Sequence, residues 1–160
     1  MGMDVYGKKP TTEEGQYFRN SVWGWRPLAD YVCAVAPTIT KRCKYWRSND
    51  GDGLDAVASL ALADILQKEL DSGRTASFAR ARQSAIEMMA DEPCDLCEGT
   101  GTRKPIPQRG AGDPRNGGFK CNACDGRGFV RPDLTHYPFE VENVQEFTTF
   151  LRGCGGFEIW

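Results

Sequence analysis

The residues with the most chemistry in this chain form two matching octets, Cys94-Asp95-Leu96-Cys97-Glu98-Gly99-Thr100-Gly101 and Cys121-Asn122-Ala123-Cys124-Asp125-Gly126-Arg127-Gly128. Both read C-x-x-C-x-G-x-G. Two residues between cysteines let one tight turn aim both sulfurs at a single ion. Glycines just after the turn allow positive φ, so backbone N–H groups can point at the thiolates. Cys94, Cys97, Cys121 and Cys124 then complete a closed tetrahedral shell for one zinc ion per chain. The twenty-three residues between the pairs exceed the usual spacing, and loop-closure entropy makes that excess cheap. The competing readings are surface turns with free thiols, or a redox C-x-x-C. A thioredoxin-like motif follows a strand and opens a helix, and neither octet does. Zinc binding of about 10–16 kcal/mol is enough by itself to hold such a segment folded.

Catalytic readings fail on what surrounds these cysteines. A four-thiolate shell leaves no open position for water. Pro93-Cys94-Asp95-Leu96-Cys97 fits half of the zinc deaminase signature, but the upstream H-x-E is missing, because His136 is the only histidine and follows both pairs. One histidine also excludes H-E-x-x-H zincins. A Cys154–His136 nucleophilic pair has no supporting motif. Ser48-Asn49-Asp50-Gly51-Asp52-Gly53 is superficially a calcium loop, yet position twelve counted from Ser48 is Ser59 where a bidentate Glu is needed. No catalytic residue is assigned, and the chain reads as non-enzymatic.

Two cation-bearing stretches remain for recognition. The arm from Arg103 to Lys120 carries Arg103, Lys104, Arg109, Arg115 and Lys120 against only Asp113. Held at both ends by the cysteine turns, it would be steered toward an acidic protein surface or a phosphate backbone, or be a solvated loop. The second stretch, Lys41-Arg42-Cys43-Lys44-Tyr45-Trp46-Arg47, sets four cations around two aromatics, the equipment for a nucleotide or single strand. The same residues also suit snorkelling cations at the edge of a core that owns the aromatics.

Elements must position these groups. In 160 residues, 40% of them hydrophobic, there is enough chain for one folded domain with an appendage. Twenty Lys and Arg against twenty-two Asp and Glu give a net charge of −2, which argues against a globally basic nucleic-acid binder. Asp4–Tyr6 and Gln16–Arg19 read as strands. Pro27 suits the first turn of a helix carrying Leu28, Tyr31, Val32 and Val35, stopped at Pro37. Asp52 is the expected N-cap of a helix whose stripe is Leu54, Val57, Ala58, Ala61, Leu62, Ile65, Leu66 and Leu70, closed by Gly73. A second helix is expected over 75–89 with Phe78, Ala81, Ala85, Ile86 and Met89 inward, making a hairpin that forms the spine of the core. Asn143 and Glu146 form a capping-box-like start to a last helix with Val144, Phe147, Phe150 and Leu151 inward, and Gly153 as its stop. Residues 155–160 read as a turn and a strand that pairs with the N-terminal strand.

The odd count of seven cysteines disfavours a disulfide framework, and Cys33, Cys43 and Cys154 read as small buried hydrophobes. No apolar run approaches a membrane span, and the opening residues carry no secretory signature, so a soluble cytoplasmic protein is expected.

The repeated octet resembles the cysteine-rich zinc domain of DnaJ-type co-chaperones, in which β-hairpin knuckles share zinc ions. That family carries four octets and two zincs; here two octets, within residues 94–128, fill one site. The His-Pro-Asp of the J-domain is absent, His136 being followed by Tyr137. The resemblance therefore implies a local zinc fold and not co-chaperone activity. More loosely, Tyr17-Phe18-Arg19-Asn20, Trp25-Arg26-Pro27-Leu28 and Asn49-Asp50-Gly51 look like small phage and prophage proteins.

Together these features describe an α+β fold, a helical hairpin packed on a small sheet, with an inserted four-cysteine zinc-knuckle β-hairpin. Residues 1–90 and 133–160 would build the core and 91–132 the insertion. The expected function is a zinc-stabilised protein-interaction module, in a phage setting an inhibitor of a host or defence protein. The alternative is a nucleotide or nucleic-acid binder using Lys41, Arg42, Lys44, Tyr45, Trp46 and Arg47.

Overall fold

Met3 and Val5 are buried while Tyr6 is exposed, the period-two pattern of a strand with one face on a core. That strand is β1 (Gly2–Gly7), in a computed structural model that describes residues 2–104 and 118–160. It is followed by β2 (Tyr17–Ser21), α1 (Val22–Val35), α2 (Pro37–Thr40), β3 (Asp52–Asp55), α3 (Ala56–Asp71) and α4 (Arg74–Glu87). The short strands β4 (Glu92–Pro93) and β5 (Phe129–Val130) come next, then a 3-10 turn at Asp133–His136, α5 (Val141–Gly153) and β6 (Gly156–Ile159). The chain forms two compact units, one of residues up to Ala85 with Tyr137–Trp160, the other Ile86–His136. Among the described residues no helix is long and apolar enough to cross a membrane.

The first unit is α+β, with helices on one face of an antiparallel sheet of order β2-β1-β6-β3. The C-terminal strand pairs with β1, as its sequence suggests, Val5 lying opposite Ile159. It also takes β3 on its other side, Leu54 lying opposite Phe157. Trp25, Phe147, Phe150 and Phe157 are fully buried and meet edge-on, tilted or, for Phe147 and Phe150, stacked, as expected of a core built on aromatic rings. Gly153 and Gly15 let two backbones touch: a Cβ on Gly15 would stand 2.2 Å from the Gly153 carbonyl carbon.

Helix starts differ from expectation wherever a long-range partner intervenes. Helix α1 begins at Val22, capped by Ser21, whose Oγ accepts from the Gly24 N–H at 3.1 Å. Pro27 therefore lies inside the helix rather than in its first turn, and the buried Trp25 and Leu28 on either side hold it there. Asp55, not Asp52, caps α3, accepting from the Ala58 N–H at 2.8 Å. Residues 52–55 are drawn into the sheet by β6, so the cap and first helical residues expected there, Asp52 and Leu54 among them, form a strand. Val57 is 77% exposed and leaves the expected stripe, whereas Ala58, Leu62 and Leu66 keep it.

The expected spine also changes. Helix α4 buries only Thr75; Phe78, Ala81 and Ala85 are exposed, although the Phe78 ring still meets Tyr31 and Phe139 at 4.9 and 4.8 Å. The spine is α3 packed along α5, whose Val144, Phe147, Phe150 and Leu151 are all buried. The cap of α5 is Glu140 without a side-chain bond, not Asn143. Asn143 instead accepts from the Asn20 side-chain amide at 2.6 Å, a tertiary bond to the end of β2.

Candidate metal centre and the basic arm

Strand β4 delivers Cys94 into the first octet, and β5 leads out of the second, Pro93 lying opposite Phe129. Each octet folds as a knuckle, and the two repeat each other bond for bond. The Cys94 N–H donates to the Gly128 carbonyl at 2.8 Å, and the Cys121 N–H to the Gly101 carbonyl at 2.8 Å. The Gly101 N–H donates to Cys97 Sγ at 3.2 Å, and the Gly128 N–H to Cys124 Sγ at 3.3 Å. Both glycines have positive φ, 74° and 82°, as the spacing requires. Side-chain-bearing residues share the left-handed region too, Glu98 at 51° and Asp125 at 50°, one at the matching place in each knuckle.

The outcome is four converging sulfurs. All four cysteine Sγ atoms lie within 4.8 Å of one another, Cys94 to Cys121 at 3.9 Å and Cys97 to Cys124 at 3.7 Å. Disulfide sulfurs sit at about 2.05 Å, so these are separate thiols arranged as the corners of a cage for one metal ion. All four are buried, and among the described residues they are the unit's interior, with partly buried Val130 packed against them. Burial pushes the Cys94 thiol up to about 11. The backbone N–H of Cys124, helped by that of Ala123, pulls Cys121 down to about 7. A metal ion here would replace the missing apolar core.

Beyond the knuckles the chain continues as a second short ladder. Thr102 bridges Lys120, and the Arg103 N–H donates to the Phe119 carbonyl at 2.9 Å. The base of the arm is thus paired backbone. Of its cations, Arg103 donates to Asn122 Oδ1 at 2.9 Å, Lys104 pairs with Glu98, and Lys120 with Asp125 at 2.5 Å. The two left-handed acidic residues of the knuckles are therefore the partners of the arm's basal lysines, a role the sequence pattern did not reveal. Their place immediately after the second cysteine of each octet was the available signal. Arg109 and Arg115 lie outside the described residues.

The other candidate residues are placed differently. Trp46 is buried, its Nε1 donating to the Thr40 carbonyl at 3.0 Å and its ring stacked with Trp25 at 6.2 Å, so it belongs to the core. Arg42 pairs with Asp55 at 2.8 Å and Arg47 with Asp30. Asp52 accepts from the Lys44 and Tyr45 N–H groups at 2.5 and 3.2 Å. Against the cost of burial, these bonds hold its carboxyl below the usual range. Lys44, Tyr45, Trp46 and Arg47 do line a shallow groove of about 350 Å³ with Cys33 and Ser48, while Lys41 stands apart from it.

Comparison of the chain with protein-family models, with curated proteins and with solved structures gave no match. The lone cysteines are ordinary packing groups: Cys43 and Cys154 are buried, and Cys33 is half-buried. Burial, reinforced by the Asp52 charge, raises the Cys43 thiol to about 12. Burial also raises the Cys154 thiol, which donates to the Leu151 carbonyl at 3.4 Å. That environment opposes a nucleophile.

Proposed function

We propose that Cys94, Cys97, Cys121 and Cys124 hold one zinc ion, and that the protein is a non-enzymatic interaction module whose zinc knuckles clamp the base of a basic arm. The single observation that carries this reading is the four-sulfur cage with the arm's ladder bonded directly to it. Zn–S bonds of about 2.3 Å put tetrahedral sulfurs about 3.8 Å apart, which the 3.9 and 3.7 Å separations match. Sulfur-only ligation favours zinc over the hard oxygen-seeking cations. Four protein ligands leave no place for a reacting water, so the metal's contribution is structural.

Recognition then falls to the arm. With Lys104 and Lys120 already paired to the knuckles, Arg109 and Arg115 are the cations we assign to the partner, an acidic protein surface. In a phage setting that partner would be a host or defence protein, which the module binds or inhibits. Native and denaturing mass spectrometry tests the metal: one zinc per chain, lost on denaturation, is expected. A four-proton mass deficit marking two disulfides would overturn the site. Affinity capture then tests the arm, because a partner retained by the wild type and released by Arg109→Ala with Arg115→Ala supports this reading. Equal retention by both proteins removes the arm from it.

A further inference from the structure

The pleat of the four-stranded sheet turns Met3, Val5, Phe18, Phe157 and Ile159 inward, where all are buried. The opposite face carries aromatic rings. Tyr17 lies directly across from Tyr6, with ring centroids 5.1 Å apart, and the two are 42% and 48% exposed. Trp160 extends β6 by one residue through paired backbone bonds with Asp4 at 2.9 and 2.6 Å, and is 51% exposed. Residues opposite one another on antiparallel strands share a face, and diagonal neighbours lie about 7–8 Å apart. Three half-exposed rings thus stand on three adjacent strands of one sheet face.

We propose that this face is a stacking platform for two or three bases of single-stranded nucleic acid. The site differs from the stretch 41–47, whose Trp46 is in the core. Size and charge select the occupant. Four strands about 4.8 Å apart, with about five residues each, offer a footprint on the order of 250 Å². That is well below the roughly 800 Å² per partner of a stable protein interface, and it suits a few stacked bases. Each carboxylate on the face is already tied to a cation of this chain: Asp4 to Arg19 at 3.7 Å and to the Tyr17 hydroxyl, Glu158 to Lys8 at 3.5 Å. Arg19, 69% exposed, stands farther into solvent than Asp4. Phosphates therefore meet Arg19 and Lys8, while bases meet the rings. Glu13 and Glu14, in the turn between β1 and β2, keep the electrostatic share small, so affinity comes from stacking.

The test is fluorescence anisotropy of the metal-loaded full chain with a labelled oligonucleotide of about twelve nucleotides, as RNA and as DNA. Saturable binding is expected, weakened at least about fivefold by Tyr6→Ala and by Tyr17→Ala. Trp23→Ala removes an equally exposed ring on α1, off the sheet face, and is expected to leave it unchanged. With two cations at most engaged, the slope of log K against log salt is expected to be no steeper than about −1.5. Shifts of the Trp160 indole resonance in the wild type supply a readout that needs no substitution. Absence of binding at about 1 mM protein, equal binding by all variants, or an unmoved Trp160 signal overturns the proposal. Wild-type self-association that disappears in the tyrosine variants, without oligonucleotide binding, would also overturn it, by showing that a second copy covers the face. None of these readouts depends on the arm or its arginines, so this proposal and the zinc-module reading fail separately.

Discussion

Replacing Gly101 by alanine tests the knuckle geometry and the proposed zinc site more sharply than removing a cysteine, because the four sulfurs stay in place. Gly101 has φ of 74°, and a Cβ there would stand 2.4 Å from the Gly126 carbonyl oxygen. Left-handed backbone costs a residue with a side chain about 1–2 kcal/mol. The contact is about 0.9 Å shorter than an ordinary C···O approach of about 3.3 Å, and the obstructing atom is backbone. Relief requires the second knuckle to move, and with it the Cys121–Gly126 turn, whose Gly126 N–H bonds the Cys121 carbonyl at 2.9 Å. Two such costs sum to roughly 3 kcal/mol or more, about a hundredfold in zinc affinity. Gly73→Ala is the control: its φ of 73° is the same but nothing lies within 4 Å, so only the backbone cost applies. Gly128→Ala, whose Cβ would stand 2.3 Å from the Gly99 carbonyl oxygen, is expected to match Gly101→Ala. Zinc affinity by chelator competition reads the two knuckle variants, and thermal unfolding reads the control. Wild-type zinc affinity in Gly101→Ala, or a large difference between the two knuckle variants, would refute the reasoning.

Further expectations follow from the same geometry. Cys97→Ser should abolish metal binding and amide protection across residues 86–136 while the helical circular dichroism of the first unit persists; loss of all helical signal would show that the units fold together. Phe147→Ala, fully buried among Trp25, Phe18 and Phe157, should cost about 3–5 kcal/mol in urea unfolding, whereas Val57→Ala should fall within about 0.5 kcal/mol of wild type. The Ala58 N–H and Arg42 lower the Asp55 carboxyl below its ordinary value. Its contribution to stability is therefore present above about pH 4 and lost as pH falls through the depressed folded-state value. Asp55→Asn keeps the cap without the titration and should flatten the acid limb of a urea-midpoint profile, and an unchanged limb would discount the carboxylate.

Local chemistry was legible without any fold. The C-x-x-C-x-G-x-G spacing acts within one turn, so the same residues meet in any context that lets the two octets approach. The stripe of α5 was equally plain, because Val144, Phe147, Phe150 and Leu151 repeat at helical period and nothing competes for them. The C-terminal strand was legible as the short segment after a glycine turn, and it pairs with β1 as expected. Helix α4 misled for a related reason: Phe78, Ala81 and Ala85 have helical spacing, but spacing does not show whether a partner face exists to bury them.

What the sequence by itself determined about this protein is local: the cysteine and glycine spacing within each octet and the core stripe of α5. Only the tertiary structure decided the rest. It made residues 52–55 a strand by offering them the free edge of β6, and so moved the helix cap from Asp52 to Asp55. It took Trp46 into the core and paired Arg42 and Arg47 with acids. It also gathered Tyr6, Tyr17 and Trp160, the last almost the whole chain length away, onto one open face. The physical reason is common to all of these. Burial and pairing depend on surfaces supplied by distant segments, and those free energies outweigh the local preference for a cap, a loop or an exposed cation.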